Sequence, residues 1–253
     1  VVRDEKSEFL FAEGVQPYFL AWTTTPWTLP SNTALCVGPN IDYVRVLSTN
    51  PYTGVPGLYI VAQALVGAHF NPKKQEFTVL EGTLKGSELT GIRYEQLIPW
   101  FNPGEGAFKV IPGDYVTTED GTGIVHIAPT FGADDAKVAR LAGVPGLQVV
   151  DRNGDLQAQV DLRGRFFRIE DLDPEYAAAN MSPAYAEWEG RYVKNAYDAS
   201  LPADAPTLDV DICVMLKQQN KAFRIEKYIY NYPHCWRTDK PVLYYPLNSW
   251  FIK

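Results

Sequence analysis

Six short β-prone runs, cut apart by glycine, proline and asparagine, restrict what this chain can fold into more than any other feature. Residues 34–37, 43–47, 58–61, 77–80, 108–111 and 124–128 are rich in branched and aromatic side chains. The punctuation between them falls at Gly38-Pro39-Asn40 and at residues 51–57, 102–106 and 111–114. Runs of that length and spacing suit a barrel or sandwich. Asn153-Gly154, between residues 147–150 and 156–160, is a hairpin signal because its turn favours positive φ. Helices are few: residues 62–69, 134–141, a run from Pro174 to Ala179 capped by Asp173, residues 187–199, and residues 211–219. The last places Ile212, Met215, Leu216 and Gln219 on one face and precedes an expected strand at 222–230. The expected class is mainly β, a barrel-like domain with peripheral α-helices. At 253 residues, 46% hydrophobic and 21% charged, the chain can build one substantial core with appendages. Residues 1–164 read as the β-rich core, 165–210 as a more polar helical insertion with a linker at 201–206, and 211–253 as a closing helix and strands.

One stretch combines residues that packing alone does not select together: Trp22-Thr23-Thr24-Thr25-Pro26-Trp27-Thr28-Leu29-Pro30-Ser31-Asn32-Thr33-Ala34. An apolar run rises to Trp22 and reads as a strand. Three threonines fill its end, and Pro26 and Pro30 stop a central ladder or a regular helix from continuing. Hydroxyls both donate and accept, so such a row can line a polar pocket without fixed charge. The plain alternative is a β-prone strand end.

A second stretch lies about a hundred residues on: Gly121-Thr122-Gly123-Ile124-Val125-His126-Ile127-Ala128-Pro129-Thr130-Phe131-Gly132-Ala133-Asp134-Asp135. It reads as a buried strand, a break and a helix start. By default Asp134 and Asp135 cap that helix, where the dipole favours carboxylates by about 0.3–1 kcal/mol, and His126 is a satisfied core histidine. A covalent Thr-His-Asp triad is disfavoured because threonine is a weak nucleophile. Zinc is disfavoured because neither His126 with Asp135 nor His234 with Cys235 has the paired spacing of a zinc site. What remains is a polar pocket with one anchoring carboxylate and water as nucleophile.

These two stretches resemble the editing insertion of isoleucyl-tRNA synthetases, which hydrolyses wrongly acylated tRNA. A third block, Tyr232-Pro233-His234-Cys235-Trp236-Arg237-Thr238-Asp239-Lys240-Pro241 with Ser249-Trp250-Phe251-Ile252-Lys253, is similar to the end of that insertion, where the chain returns to the synthetase body. The blocks occur in matching order across Trp22 to Lys253. Related valyl and leucyl enzymes usually carry an Arg and an acid inside the threonine motif. Pro26-Trp27-Thr28-Leu29-Pro30 favours the isoleucyl member. The resemblance implies that Asp135 binds the α-ammonium of the misattached amino acid, with Asp134 a neighbour. It implies that Thr23, Thr24 and Thr25 hold the ester carbonyl, the terminal adenosine and the attacking water. Trp22, Trp27 and His126 would then shape the walls, and Asn32 and Thr33 support the turn. The implied substrate is valine esterified to tRNA(Ile), with the acceptor end of that tRNA and the rest of the synthetase as partners. No cofactor is expected: the His-x-Gly-His, Lys-Met-Ser-Lys-Ser and Walker-type motifs do not occur, so ATP is left to the synthetic body.

Net charge is −7, against a general nucleic-acid binder, yet residues 211–253 carry seven basic and three acidic side chains. That segment suits a phosphate backbone, and equally a solvated helix face followed by a hairpin. No apolar run reaches the roughly 18 residues that span a bilayer. Cys36, Cys213 and Cys235 are odd in number and far apart, which favours a reducing cytoplasm over a disulfide scaffold. The opening Val1-Val2-Arg3-Asp4-Glu5-Lys6 resembles neither a leader nor a natural start, so a fragment of a longer chain is expected. Two rival readings stay open: a module that holds the tRNA acceptor end without hydrolysing anything, and a purely structural domain.

Overall fold

The computed structural model describes residues 1–11, 14–202, 204–229 and 231–247. Ser249 to Lys253, the last part of the third block, lie outside the described residues. Among the described residues, ten strands and a few short helices make a mainly β architecture with helical elaboration, as expected. Among the described residues the sheets stay open and none closes into a barrel.

The largest sheet runs β1 (Pro17–Phe19), β4 (Pro56–Ala62), β3 (Asp42–Thr49), β5 (Phe77–Val79), with β6 (Leu84–Lys85) also pairing β3. β1 is parallel to β4, and β3 is antiparallel to its partners. β4 shows no inside-outside alternation: Leu58, Tyr59, Ile60, Val61 and Ala62 are all buried, because both faces are covered. A second sheet has β2 (Ala34–Val37) between β7 (Lys109–Pro112), parallel to it, and β8 (Ile124–Ile127), antiparallel. β2 is likewise wholly buried. The hairpin expected at Asn153-Gly154 is present as β9 (Gln148–Val150) and β10 (Leu156–Ala158), with Gly154 at φ +82°.

The single turns α1 (Val66–His69) and α2 (Gly86–Leu89) precede α3 (Ala133–Leu141), α4 (Pro174–Asn180) and α5 (Leu208–Gln218). Asp173 caps α4 as its sequence indicates, accepting the Tyr176 amide at 2.8 Å. α5 starts three residues before the expected position because Thr207 caps it, and Leu208, Ile212 and Leu216 form its buried face.

Three expectations are corrected. Residues 187–199 are not one helix. Gly190 sits at φ +69°, and the chain beyond it pairs with residues 164–166 through Gly190 to Phe166, Phe166 to Arg191 and Val193 to Gly164, each at 2.9 Å. Tertiary pairing there outweighs local helix propensity. The expected strand at 222–230 joins no sheet over its described residues. Side chains take two of its backbone groups: Asn50 donates to the Ala222 carbonyl at 2.9 Å and the Tyr52 hydroxyl accepts from the Ile225 amide at 2.8 Å. Pro26 and Pro30 do not exclude helical structure, since Pro26–Ser31 forms a 3₁₀ turn. Pro26 takes its first position, where an amide has no internal partner, and Pro30 lies inside it.

Burial divides into clusters. One lies on the largest sheet around Tyr43, Val46, Ile60 and Phe70. A second gathers Trp27, Trp100, Phe166, Tyr185, Trp188 and the α5 face. A third lies between the β2 sheet and α3, with Cys36, Ile111 and Ala139. Segment 165–210 thus supplies aromatic side chains to a core shared with Trp27 and Trp100.

Candidate functional site

The expected strand ending at Trp22 changes partner partway. Leu20 still bonds Ile60 of β4 at 3.1 Å, but Trp22 bridges Val125 of β8, its amide 3.4 Å from the Ile124 carbonyl. The chain therefore crosses from one sheet to the other just before the threonines, which lie in a bend and not on a strand end. Gly121 and Gly123 make room for this crossing. A Cβ on Gly121 would lie 3.0 Å from the Trp22 ring, one on Gly123 would lie 2.5 Å from Ala62 Cβ, and both residues have positive φ.

Two of the three threonine hydroxyls are tied together. The Thr25 amide donates to Thr23 Oγ1 at 3.0 Å, and the two Oγ1 atoms are 3.4 Å apart. Thr24 is half-buried between them. The 3₁₀ turn brings in a fourth hydroxyl, because residues three apart eclipse in that geometry. Thr28 Oγ1 is 3.3 Å from Thr25 Oγ1, donates to the Thr25 carbonyl at 2.8 Å, and meets His126 Nε2 at 3.0 Å. Through Thr28 the two separated motifs become one site.

The tautomer of His126 follows from the hydrogen bonds on its two sides. The Tyr94 hydroxyl donates to Asn32 Oδ1 at 2.6 Å, and Asn32 Nδ2 faces the Ala34 carbonyl at 2.8 Å, the Ile127 carbonyl at 3.3 Å and His126 Nδ1 at 3.4 Å, while the Thr28 hydroxyl gives its proton to the Thr25 carbonyl and can only accept from His126 Nε2. Nδ1 therefore accepts, and the proton sits on Nε2 facing Thr28. Burial pushes the imidazole down to about 4, so it is neutral at physiological pH. A neutral ring that already donates its proton to Thr28 orients that hydroxyl and is not a free base.

Asp135 lies at the end of the strand that carries His126, within electrostatic range of Cys36 and Tyr115. It does not cap α3, whose N-cap is Gly132. Its carboxylate turns back and accepts the Ala128 amide at 2.8 Å, at the end of the strand that carries His126. Gly132 permits this, since a Cβ there would lie 2.9 Å from the Asp135 carboxyl carbon. Burial raises the Asp135 pKa, the Ala128 hydrogen bond opposes it, and Asp134 raises it further. The helix terminus does not hold Asp135 below the usual carboxylate range. Asp134 is exposed.

The remaining expected residues divide by burial. Trp22 is 39% exposed and stands edge-on to Tyr228 at 5.4 Å, beside the threonines. Trp27 is 3% exposed, packs edge-on to Phe131 at 4.9 Å, and belongs to the second core. Asn32 and Thr33 are buried, and Thr33 joins β8 and β7 through its backbone, with hydrogen bonds of 2.9 Å to Ile127 and 2.7 Å to Phe108. Sequence reasoning missed three participants. Thr28 was findable from its spacing to Thr25. Tyr94 and Asp209, whose carboxylate accepts the Trp27 amide at 2.8 Å, carry no local signal.

A cleft of about 1220 Å³ lies elsewhere, lined in part by Arg152, Arg165, Arg168 and Arg191. Its arginines are already engaged: Arg165 with Asp161 at 2.7 Å, Arg168 with Glu170 at 3.1 Å, Arg191 with Asp211, and Arg152 with the Glu170 carbonyl. Size alone does not make it the reactive site. Among the described residues no group of three or more His, Cys, Asp or Glu side chains is placed to hold a metal, and no helix is long and apolar enough to cross a membrane.

No protein-family model matches the chain. It is 60% identical over 251 residues to an isoleucine–tRNA ligase of Bacteroides fragilis, covering 94% of this chain and 22% of that protein. An isoleucine–tRNA ligase of Porphyromonas gingivalis is 58% identical over 252 residues, covering 93% and 22%. The chain spans about a fifth of the length of these curated relatives. A solved editing domain of P. knowlesi cytosolic leucyl-tRNA synthetase shares 13% identity at a TM-score of 0.45, over 96% of this chain and 89% of that one, a likeness too distant to carry an argument. The resemblance carried by the threonine and GTGIVHIAP blocks stands: nearly the whole chain is similar to one stretch of isoleucine–tRNA ligases.

Proposed function

We propose, from that likeness to one stretch of isoleucine–tRNA ligases, that this chain is the editing unit of such an enzyme and hydrolyses valine from mischarged tRNA(Ile) in the cytoplasm. The observation that carries the reading is the contact of Thr28 with His126 at 3.0 Å, which joins the two motif blocks into one hydroxyl-lined site. Water attacks the ester carbonyl carbon, the bond from that carbon to the ribose oxygen breaks, and the ribose oxygen takes a proton. Free amino acid and an uncharged tRNA end result.

Each residue has a part that its surroundings support. The hydroxyls of Thr23, Thr24 and Thr25 bind the carbonyl, the terminal adenosine and the water. Thr28, held by His126, fixes the floor beneath them. Asp135 receives the α-ammonium, whose positive charge offsets the burial that raises the carboxyl pKa. With His126 neutral and donating, the vicinal ribose hydroxyl assists the water. The need for such a site follows from the small difference between the two amino acids: one methylene is worth only about 1–3 kcal/mol in an apolar pocket. An editing pocket works by exclusion, since overpacking by the extra methyl is penalised more steeply than a missing contact.

The test is deacylation of valyl-tRNA(Ile) and isoleucyl-tRNA(Ile) by this chain. Rapid loss of valine with the isoleucyl ester spared is expected. Binding of the tRNA end without hydrolysis supports the binding-module reading, and equal rates on both esters overturn the proposed specificity. Thr24→Val and Thr25→Val keep the branched shape and lose the hydroxyl, so each is expected to fold and to slow hydrolysis by about 10²–10³. Unchanged rates in both would reduce the threonines to a structural bend.

A further inference from the structure

The start of the 3₁₀ turn Pro26–Ser31 allows a full account of its amides. Thr25 N–H goes to Thr23 Oγ1 at 3.0 Å, Pro26 has none, and Thr28 N–H goes to the Thr25 carbonyl at 3.0 Å. Trp27 N–H is left over. Thr25 occupies the N-cap position, where a threonine ordinarily turns its hydroxyl onto such an amide. Here it makes no side-chain cap. Asp209, near the start of α5 and 182 positions away in the chain, takes the Trp27 amide at 2.8 Å. Lys194 Nζ stands 3.6 Å from its other oxygen, and both side chains are largely buried, at 17% and 24% exposure. Lys194 lies over the Tyr232 ring at 4.7 Å, so the acceptor is held from behind.

We propose that Asp209 is a positioning residue for the threonine row: by capping the turn in place of Thr25, it leaves the Thr25 hydroxyl directed at Thr23, Thr28 and the substrate. The inference rests on the editing reading above for its effect on rate, but its structural half does not. Without Asp209 the free Trp27 amide captures the Thr25 hydroxyl by a change of χ1, and the site loses a group it needs in place. A shift of about 1 Å at such a group is enough to cost about 10²-fold in rate.

The experiment combines a rotamer measurement with a kinetic cycle on this chain. The Thr25 χ1 is read from couplings to its labelled methyl carbon in the unsubstituted chain and in Asp209→Ala, without substrate. Deacylation of valyl-tRNA(Ile) is measured for Asp209→Ala, Asp209→Asn, Thr25→Val and the double variant Asp209→Ala with Thr25→Val. A changed Thr25 rotamer is expected in Asp209→Ala, with kcat down by about 10²-fold and KM within about twofold. Asp209→Asn keeps an acceptor oxygen and is expected to restore most of the lost turnover. The double variant is expected to be no slower than Thr25→Val, since the hydroxyl is already gone. An unchanged rotamer with only a lower melting temperature, or losses that multiply in the double variant, would overturn the proposal. If Asp209→Ala does not fold, Asp209→Ser, one atom too short to reach the amide, serves in its place. If the unsubstituted chain hydrolyses no ester, the editing reading fails, and the rotamer measurement still decides the role of Asp209.

Discussion

His126 gives the molecule a pH dependence of its own. Its folded value of about 4 lies below the 6.5 of a free imidazole, so between those values the unfolded chain binds a proton that the folded chain refuses. Stability contributed by the neutral ring is present above about pH 6.5 and lost as pH falls toward 4, by up to about 3 kcal/mol. Asp135 and Asp209, raised by burial, act with the opposite sign, because the folded state then holds their protons more tightly. Comparison with His126→Gln isolates the imidazole: melting temperature is expected to fall more steeply on acidification in the unsubstituted chain, and parallel curves would mean a solvated ring. Asp135 separates charge from hydrogen bonding. Asp135→Asn keeps an acceptor for the Ala128 amide and removes the anion, so it should melt near the parent yet bind the ester poorly. Asp135→Ala leaves that amide unpaired at a cost of about 1–3 kcal/mol and loses turnover as well. Asp134→Ala, at an exposed position, should leave both unchanged. A larger loss of deacylation in Asp134→Ala than in Asp135→Ala would move the ammonium anchor to Asp134. Residue types alone mark Asp135 as a helix cap, and the structure gives its carboxylate to Ala128 instead.

Gly123 is where two elements meet. It precedes β8 at φ +74°, and a Cβ there would lie 2.5 Å from Ala62 at the end of β4. Gly143, after α3, has φ +61° with nothing near its Cβ position. Gly143→Ala should therefore cost only the left-handed backbone penalty, about 1–2 kcal/mol. Gly123→Ala adds an overpacking penalty of about 1–3 kcal/mol and shifts the sheet junction on which Trp22 leaves β4. Denaturant midpoints of the two variants check the difference, and equal midpoints would show that the junction yields without strain. At this scale the sequence is readable where one periodicity dominates. The runs at 34–37, 43–47 and 124–128 are strands within a residue or two, because their branched residues have no competing helical face. The stretch 187–199 has helix formers but spans Gly190, and its backbone partners sit at residues 164–166, which local propensity does not see.

Taken whole, the molecule shares one aromatic core between distant parts of the chain. Trp27 and Trp100 pack with Phe166, Tyr185, Trp188 and the Leu208, Ile212 and Leu216 face of α5. Excision of residues 165–210, replaced by a short glycine linker, is expected to expose Trp27 and Trp100 and to abolish the near-ultraviolet dichroism of the remainder. A well-packed product with native dichroism would make that segment a dispensable appendage. The sequence by itself determined the mainly β class, most strand positions and the capped start of α4. These follow from local sterics and periodicity, which act within a few residues. Only the tertiary structure decided that Thr28 meets His126 and so sets the imidazole tautomer, that Tyr94 holds Asn32 beside that ring, and that Asp209 caps a turn 182 positions away. Those contacts depend on how two sheets and α5 close on one another, and a hydrogen bond between residues so far apart leaves no trace in the spacing of either.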